Sequence, residues 1–278
     1  MATSVAVAGQ LARTPTAITV HSGLLPDLLE RSRALHRHAR VALHGFGHVI
    51  AVSPAIHEAV LALGVRADRV SMYPAFCASE VRAGDPPDAL GAIRERRRPL
   101  LAIAHHPSPV YGRELMFAAL AEIARRYPRV GLAMFGAGTA SPELLADAER
   151  FGVRHSLENL GELSNERALA VIRASDVFVR PTSADGDSVS VREALALGVP
   201  VVATDAALRP PGTIVCRAGS AEDLARKVEW ALENPPAPAP QPDSVGFLAE
   251  LYRRLWVPER ADAPSLGWSA PEPLAPNL

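Results

Sequence analysis

The stretch that decides the fold is residues 174–204, ASDVFVRPTSADGDSVSVREALALGVPVVAT. It contains two short apolar runs, Asp176–Pro181 and Pro200–Thr204, which are typical of strands buried on both faces. Between them, Val191–Leu197 has the apolar spacing of a helix. A strand, a helix and a second strand in this order predict a right-handed βαβ unit, whose two strands are parallel.

The same alternation of short apolar runs and longer amphipathic runs continues on both sides of that stretch, so we predict an α/β protein with parallel sheets. The predicted strands are Ala17–Val20, His48–Val52, Arg69–Tyr73, Leu100–Ala104, Gly131–Gly136, Leu157–Gly161, Asp176–Pro181, Pro200–Thr204 and Thr213–Arg217. The predicted helices are Leu25–Val41, Pro54–Leu63, Gly112–Tyr127, Leu144–Phe151, Asn165–Ala174, Val191–Leu197, Ala221–Leu232 and Val245–Trp256.

Turn-forming residues and a charge run at residues 84–99 predict a domain boundary. We expect a partial N-terminal domain over residues 1–85 and a C-terminal domain over residues 99–233. A proline-rich bridge then leads to a helix at 244–256, which is expected to pack back on the N-terminal domain. The last segment, 257–278, is rich in Pro and Ala and is predicted to be disordered.

The composition is that of a globular protein: 278 residues, of which 48% are hydrophobic and 21% charged. A formal net charge of -1 argues against a dedicated nucleic-acid binder. Two cysteines, Cys77 and Cys216, are too few for a disulfide framework, and no apolar run approaches the ~18–20 residues of a membrane span. We therefore expect a cytoplasmic protein.

Peripheral docking on the inner membrane face stays open as an alternative. The predicted helix region Glu30–His48 is rich in basic residues, which either contact anionic lipid or form a solvated face. The arginines in question are Arg31, Arg33, Arg37 and Arg40.

The loop after the strand Asp176–Pro181 is the best candidate for a binding site. In open parallel sheets, ligands bind beyond the carboxyl ends of the strands, at helix N-termini. The backbone N–H groups of residues 186–189 can face phosphate oxygens, and the carboxylates of Asp185 and Glu193 can accept hydrogen bonds from sugar hydroxyls. Alternatively, Ser190 and Glu193 form a capping box and Asp185 is an ordinary turn residue.

At this point the sequence resembles a known family. The run from Asp185 to Ala203, DGDSVSVREALALGVPVVA, is similar to the E-x7-E-A-x-A-x-G-x-P-V-V-A signature of glycosyltransferase family 4, the group 1 retaining enzymes. The segments 135–138 (FGAG), 160–161 (LG) and 174–181 (ASDVFVRP) resemble further motifs of that family in the same order. The resemblance covers residues 14–256 and implies a GT-B-like fold with two Rossmann-type parallel-sheet domains.

The resemblance also implies an activity, namely the transfer of a sugar from a UDP- or GDP-sugar to a hydroxyl of a glycan or lipid-linked acceptor, with retention. It implies no resident cofactor and no metal. In the family pattern Glu193 binds the donor ribose, and Asp185, where the family usually has Glu, binds the transferred sugar. His21 lies beside that sugar, although a lone His after a strand is also a common structural hydrogen-bonding residue.

The diphosphate cations are where this sequence departs from the family pattern. The family's Arg and Lys positions hold His106 and Tyr111 here, and neither is a permanent cation. Arg113, next to Gly112, is the nearest substitute, with a solvated helix-end charge as its alternative role. The full set of predicted donor-binding residues is His106, Gly112, Arg113, Gly136, Gly138, Gly186, Asp187, Ser188, Val189 and Glu193.

Family members usually carry about four more N-terminal βα elements, so the resemblance implies a truncated N-terminal domain. The expectations are a truncated reading frame, a fragment, or a subunit that a partner protein completes. An active transferase in polysaccharide or glycoconjugate synthesis is therefore weighed against an inactive GT-B-like nucleotide-binding or partner subunit. A dinucleotide dehydrogenase is disfavoured because Gly136-Ala137-Gly138 lacks the third glycine of that motif.

Overall fold

The computed structural model describes residues 2–237 and 239–256. They form two parallel sheets with helices packed around them. The N-terminal elements are α1 (Ala2–Leu11), β1 (Ala17–Val20), α2 (Leu25–Arg31), α3 (Arg33–His44), β2 (His48–Ala51), α4 (Pro54–Ala62) and β3 (Val70–Met72). The first strand pairs with the second and the second with the third, both in parallel, so the order is β1-β2-β3.

The second sheet is built by the rest of the chain. Its elements are α5 (Leu90–Arg96), β4 (Leu100–His105), α6 (Arg113–Arg126), β5 (Gly131–Gly136), α7 (Pro142–Arg150), β6 (Leu157–Gly161), α8 (Asn165–Arg173), β7 (Val177–Arg180), α9 (Val189–Ala196), β8 (Val201–Thr204), β9 (Thr213–Cys216), α10 (Ala221–Glu233) and α11 (Ser244–Trp256). The strand order is β6-β5-β4-β7-β8-β9, and all pairs are parallel. The order reverses between β4 and β7, where the chain turns from building one half of the sheet to building the other.

Both faces of this sheet are buried at its central strands β4, β5, β7 and β8, which explains why these strands are largely apolar. Leu101 of β4 faces the cluster formed with α6, α7 and α10, where Phe117 and Leu224 are fully buried. Its neighbour Ala102 faces the opposite cluster, formed with α5, α8 and α9. The predicted α/β fold with parallel sheets is confirmed, and the predicted strands agree with the observed ones to within one residue at each end.

One predicted helix needs correction, and the segment predicted as a domain boundary contains a helix that was not predicted. The single helix predicted at Leu25–Val41 is two helices, because Ser32 is extended (φ -135°, ψ 105°) and its hydroxyl accepts a hydrogen bond from Leu35 N at 3.2 Å. Ser32 therefore caps the start of α3. The predicted boundary at 84–99 contains the helix α5, in which Leu90 and Ile93 are buried against the second sheet.

The chain's last described helix contacts the N-terminal region. The ring of Phe247 in α11 stacks on that of Tyr73, with centroids 4.2 Å apart. Ser244 N donates to Phe76 O at 2.9 Å, and the Asp243 carboxylate accepts from the hydroxyl of Ser79 at 2.6 Å. The predicted disordered segment 257–278 lies outside the described residues. Within the part of the chain described here, none of the helices has the length and apolar character needed to cross a bilayer.

Candidate functional site

The exits of β4 and β7 meet at the reversal of strand order, which is where open parallel sheets bind ligands. Gly112, in the loop after β4, has φ +68°, and a Cβ there would overlap the carbonyl oxygen of Pro181, just after β7. Gly136, at the end of β5, has φ +116°, and a Cβ there would overlap the carbonyl oxygen of His105. These two positions therefore require glycine, because a side chain would separate neighbouring strand exits.

The helix that follows β7 begins without a side-chain cap. Ser188 is its N-cap residue, and its side chain accepts no hydrogen bond from the first turn. The alternative of a capping box is wrong, because Ser190 lies inside the helix and the Glu193 carboxylate accepts a hydrogen bond from Asn165 Nδ2 at 3.0 Å. The first N–H groups of α9 are thus left for another acceptor, and Glu193 is half-buried with capacity for further hydrogen bonds.

An ion pair fixes the loop that leads into this helix. Arg192 Nε lies 2.7 and 2.8 Å from the two carboxylate oxygens of Asp187, and both side chains are largely buried. The predicted ligand Asp187 therefore has its side chain committed to Arg192, while Gly186 beside it is buried. What the loop offers a ligand is main-chain N–H groups held in place by this pair.

Asp185 is held by two arginines that the sequence analysis did not assign to the site. Its Oδ2 accepts from Arg180 Nε at 3.0 Å, from Arg209 Nη1 at 2.9 Å and from the Thr182 hydroxyl at 3.3 Å. Burial alone would raise the pKa of Asp185, but Arg180 and Arg209 outweigh it and hold that pKa below its usual value. The carboxylate is therefore ionised, and Oδ1, with one contact at 3.4 Å to Arg180, keeps room to accept.

The predicted residue His21 lies in the N-terminal part of the chain, in the loop after β1. Its side chain is exposed, and a Cβ at Gly186 would overlap its carbonyl oxygen. A Cβ at Gly23 would likewise overlap the carbonyl oxygen of Asp185. The structure thus brings together the loops that carry His21 and Asp185 by direct backbone packing between the two sheets.

The residues predicted to bind the diphosphate differ in their exposure and in their partners. His106 is exposed, with its ring centroid 5.1 Å from that of Tyr111, and its Nδ1 accepts from Ser108 N at 3.1 Å. Arg113 is ion-paired with Asp147 of α7, so its charge is already compensated. Gly138 (φ +72°) leaves space for the side chain of Pro107, which a Cβ would meet at 2.7 Å.

His105 is a buried polar residue beneath these loops. It is 6% exposed, and its Nε2 makes no hydrogen bond to any residue of the described chain. Burial, with smaller contributions from Arg113 and His106, lowers the pKa of His105 to about 4. The imidazole is therefore neutral at pH 7. Within residues 2–237 and 239–256, no three His, Cys, Asp or Glu side chains come together to hold a metal ion.

The sequence reasoning missed Arg180, Arg209 and Asn165. Arg180 carries a signal, since it is a charge at the carboxyl end of an otherwise apolar strand, five residues before Asp185. No sequence feature marks Arg209 as a site residue, because its partner Asp185 is remote in sequence and its partner Thr204 is an ordinary strand-end residue.

Comparison with known proteins identifies the family. Residues 97–234 match the model of the family described as glycosyl transferases group 1. This segment of the chain belongs to the group 1 glycosyltransferase family. The matched segment contains the second sheet from β4 to β9, together with the loops at its carboxyl edge.

Two curated relatives carry the names of transferases. The GDP-mannose-dependent alpha-(1-6)-phosphatidylinositol monomannoside mannosyltransferase of Mycolicibacterium smegmatis is 29% identical over 153 residues, which are 51% of this chain and 40% of the relative. The D-inositol 3-phosphate glycosyltransferase of Segniliparus rotundus is 26% identical over 203 residues, or 67% and 42% of the two chains. The chain thus spans about two fifths of the length of these relatives.

Solved structures agree on the fold. Anabaena HepE in complex with UDP superposes with a TM-score of 0.65 at 22% identity, over 84% of this chain and 66% of that one. A UDP-forming trehalose-phosphate synthase from Burkholderia xenovorans superposes with a TM-score of 0.66 at 17% identity, over 83% and 63%. At such identities the likeness shows the fold alone, and that fold is GT-B-like.

Proposed function

We propose that this chain binds a nucleotide diphosphate sugar at the carboxyl edge of the second sheet and transfers the sugar to an acceptor hydroxyl with retention. The observation that carries the proposal is the uncapped start of α9, together with the half-buried carboxylate of Glu193 four residues further along the same helix. N–H groups at a helix start bind phosphate, and a carboxylate binds the hydroxyls of a sugar.

The predicted residues around the start of α9, together with His21, take the following roles in this proposal. Glu193, held by Asn165, accepts hydrogen bonds from the donor ribose, and the N–H groups of residues 186–189 face the diphosphate. Oδ1 of Asp185 accepts from the transferred sugar, and the loop of His21 closes over that sugar from the N-terminal side.

The reaction needs stabilisation of the departing diphosphate rather than a strong base. The bond between the sugar carbon and the phosphate oxygen breaks, the acceptor oxygen bonds to the same face of that carbon, and the acceptor proton passes to the departing phosphate. Helix N–H groups and nearby cations act on the charge that develops on the phosphate. No metal is required for this role.

The names of the relatives support the donor class. A GDP-mannose-dependent enzyme is among the curated relatives, and structures of HepE contain UDP or UDP-glucose. We propose a UDP- or GDP-sugar donor and a glycan or lipid-linked acceptor, with the protein in the cytoplasm or on the inner membrane face.

Isothermal titration calorimetry with UDP, GDP, UDP-glucose and GDP-mannose tests the proposal. We expect one of the two diphosphates to bind, and Glu193→Ala to weaken it by about tenfold or more, because hydrogen bonds to a charged group contribute about 1.5–3 kcal/mol. Glu95→Ala, at an exposed position of α5, is the matched control and leaves the affinity unchanged. Failure of the folded wild type to bind any of these four compounds would refute the proposal.

A second candidate is an inactive GT-B-like subunit that binds nucleotide and acts with a partner protein. It is favoured by the pairing of Arg113 with Asp147, which compensates the cation predicted for the diphosphate. Donor hydrolysis or transfer by the wild type, lost in Glu193→Ala, would reject this candidate. Binding of nucleotide without turnover would favour it.

A further inference from the structure

Arg180 ends β7 at the edge of the sheet where the donor is proposed to bind. Its guanidinium reaches the loop before α6, where its central carbon lies 4.7 Å from the centroid of the Tyr111 ring. The backbone of that loop is in contact with the residue after Arg180, because a Cβ at Gly112 would overlap the carbonyl oxygen of Pro181. Arg180 therefore lies at the junction of the two central strand exits.

The cluster that contains Arg180 has an excess positive charge. Arg180 and Arg209 share one carboxylate, that of Asp185, and no other acidic side chain of the described residues contacts either arginine. The other arginine of the loop, Arg192, is balanced by Asp187. Two guanidinium groups and one carboxylate leave one positive charge uncompensated in a largely buried cluster, which favours an anionic ligand.

The two arginines differ in how many donors they have left. Arg209 is 2% exposed and donates to Thr204 O at 2.7 Å, to both threonine hydroxyls of the cluster and to Asp185. Arg180 donates only to Asp185, through Nε and Nη2, and its Nη1 donates to none of the residues that the structure describes. The unused donors of the cluster are therefore concentrated on Arg180.

We propose that Arg180 is the arginine that binds the diphosphate of the donor, which deepens the proposed function and rests on it. Asp185 and Arg209 act as positioning residues, because they fix the guanidinium from one side while the ring of Tyr111 supports its face. A guanidinium fixed in this way presents its remaining N–H groups as a fork to phosphate oxygens. This assigns the phosphate contact to β7, not to Arg113 on α6.

The test is the preference for a diphosphate over a monophosphate. Calorimetry gives the Kd of UMP and UDP, or of GMP and GDP, for the wild type and for Arg180→Gln. We expect the affinity of Arg180→Gln for the diphosphate to fall about tenfold or more, whereas its affinity for the monophosphate changes little. The preference for the diphosphate, expressed as the ratio of the two Kd values, is then largely lost. Arg180→Lys keeps the positive charge but lacks the forked guanidinium, so it should retain part of the wild-type preference for the diphosphate.

Two further variants separate this contact from its rivals. Arg94→Gln breaks a partly buried pair with Asp176, 3.0 Å long, and serves as the control whose ratio equals that of the wild type. Arg113→Gln tests the rival cation. A wild-type ratio in Arg180→Gln, or a ratio lost only in Arg113→Gln, would overturn the proposal.

Folding of the variants is controlled as well. Since Arg180→Gln leaves Asp185 with one guanidinium partner, the double variant R180Q/D185N, which removes both charges, is measured beside it. The loss of the ratio in both variants, with thermal unfolding as sharp as in the wild type, supports the assignment. A wild type that binds no nucleotide refutes the proposed function itself, whereas binding with an unchanged ratio in R180Q refutes only the role of Arg180.

Discussion

His105 lies at the carboxyl edge of the second sheet, where burial determines its protonation state. It ends β4, is almost fully buried, and has no hydrogen-bond partner for Nε2 among the described residues. Its protonated form would place a charge next to the Arg113 guanidinium in a dry environment, so the neutral form is favoured. The cost of that charge makes the stability of the fold depend on pH.

The sign of the effect follows from the two pKa values of His105. The pKa is about 4 in the folded protein against 6.5 for the free side chain, so between these values the unfolded chain binds the proton more readily. Stability is unaffected above pH 6.5 and falls as the pH drops from 6.5 towards 4. At pH 5 we expect His105 to cost about 2 kcal/mol of unfolding free energy.

Urea denaturation of the wild type and of His105→Leu at pH 7 and pH 5 measures this cost. Other acid-sensitive groups, including His48 with its lowered pKa, are present in both proteins and cancel in the difference. We expect the wild type to lose about 2 kcal/mol more than the variant between the two pH values. Equal losses would show that His105 is solvated and titrates normally.

The elements themselves were largely predictable from sequence. Strands such as Gly131–Gly136 are bounded by turn residues and are apolar because both faces are covered, so local pattern and burial agree. The split at Ser32 was missed because the apolar periodicity runs through it, and only the extended backbone there ends α2. The ion pair of Asp185 with Arg209 was not predictable, since Arg209 is 24 residues away and meets it only through the order of the strands.

Gly112 lies where the loop after β4 contacts the exit of β7, and the requirement for glycine at this position can be tested. Gly112→Ala places a Cβ on a left-handed backbone (φ +68°) and against a carbonyl oxygen that belongs to β7's exit. Gly219 has a similar φ of +76°, but a Cβ there meets nothing within 4 Å. The pair of variants therefore separates the strain of the backbone from the clash between elements.

We expect Gly219→Ala to cost about 1–2 kcal/mol of unfolding free energy, the cost of a left-handed residue. Gly112→Ala should cost a further ~1–3 kcal/mol, because the backbone it meets cannot move aside cheaply. Chemical denaturation at pH 7 gives both values. If the two variants are equally stable, the loop after β4 is free to move away from β7.

At the scale of the whole molecule, contacts among the described residues join the N-terminal elements to α11 and to the loops of the second sheet. The helix α11 stacks on the N-terminal region through Phe247 and Tyr73. The loop after β1 lies against the loop before α9, with Gly23 facing the carbonyl of Asp185 and Gly186 facing that of His21. The second contact is between two backbone segments. They can approach this closely because glycine has no Cβ at either position.

Gly23→Ala should therefore separate the two sheets at the proposed sugar site. A Cβ at Gly23 overlaps the carbonyl group of Asp185, and neither side is a flexible side chain that could turn away. We expect faster hydrogen–deuterium exchange at residues 21–24 and 183–188 than in the wild type, since loss of the contact exposes both loops. The second sheet keeps its exchange rates, because its core clusters are formed by its own helices.

Gly91→Ala is the control for this variant, because a Cβ at Gly91 meets nothing within 4 Å and the residue lies inside the helix α5. It should leave both loops as protected as in the wild type. Gly23→Ala should keep its affinity for nucleotide, since the N–H groups and carboxylates of the proposed site all belong to the second sheet. Sugar transfer should fall, because His21 is displaced from the sugar. Unchanged exchange at both loops in Gly23→Ala would mean that the two sheets are already apart in solution.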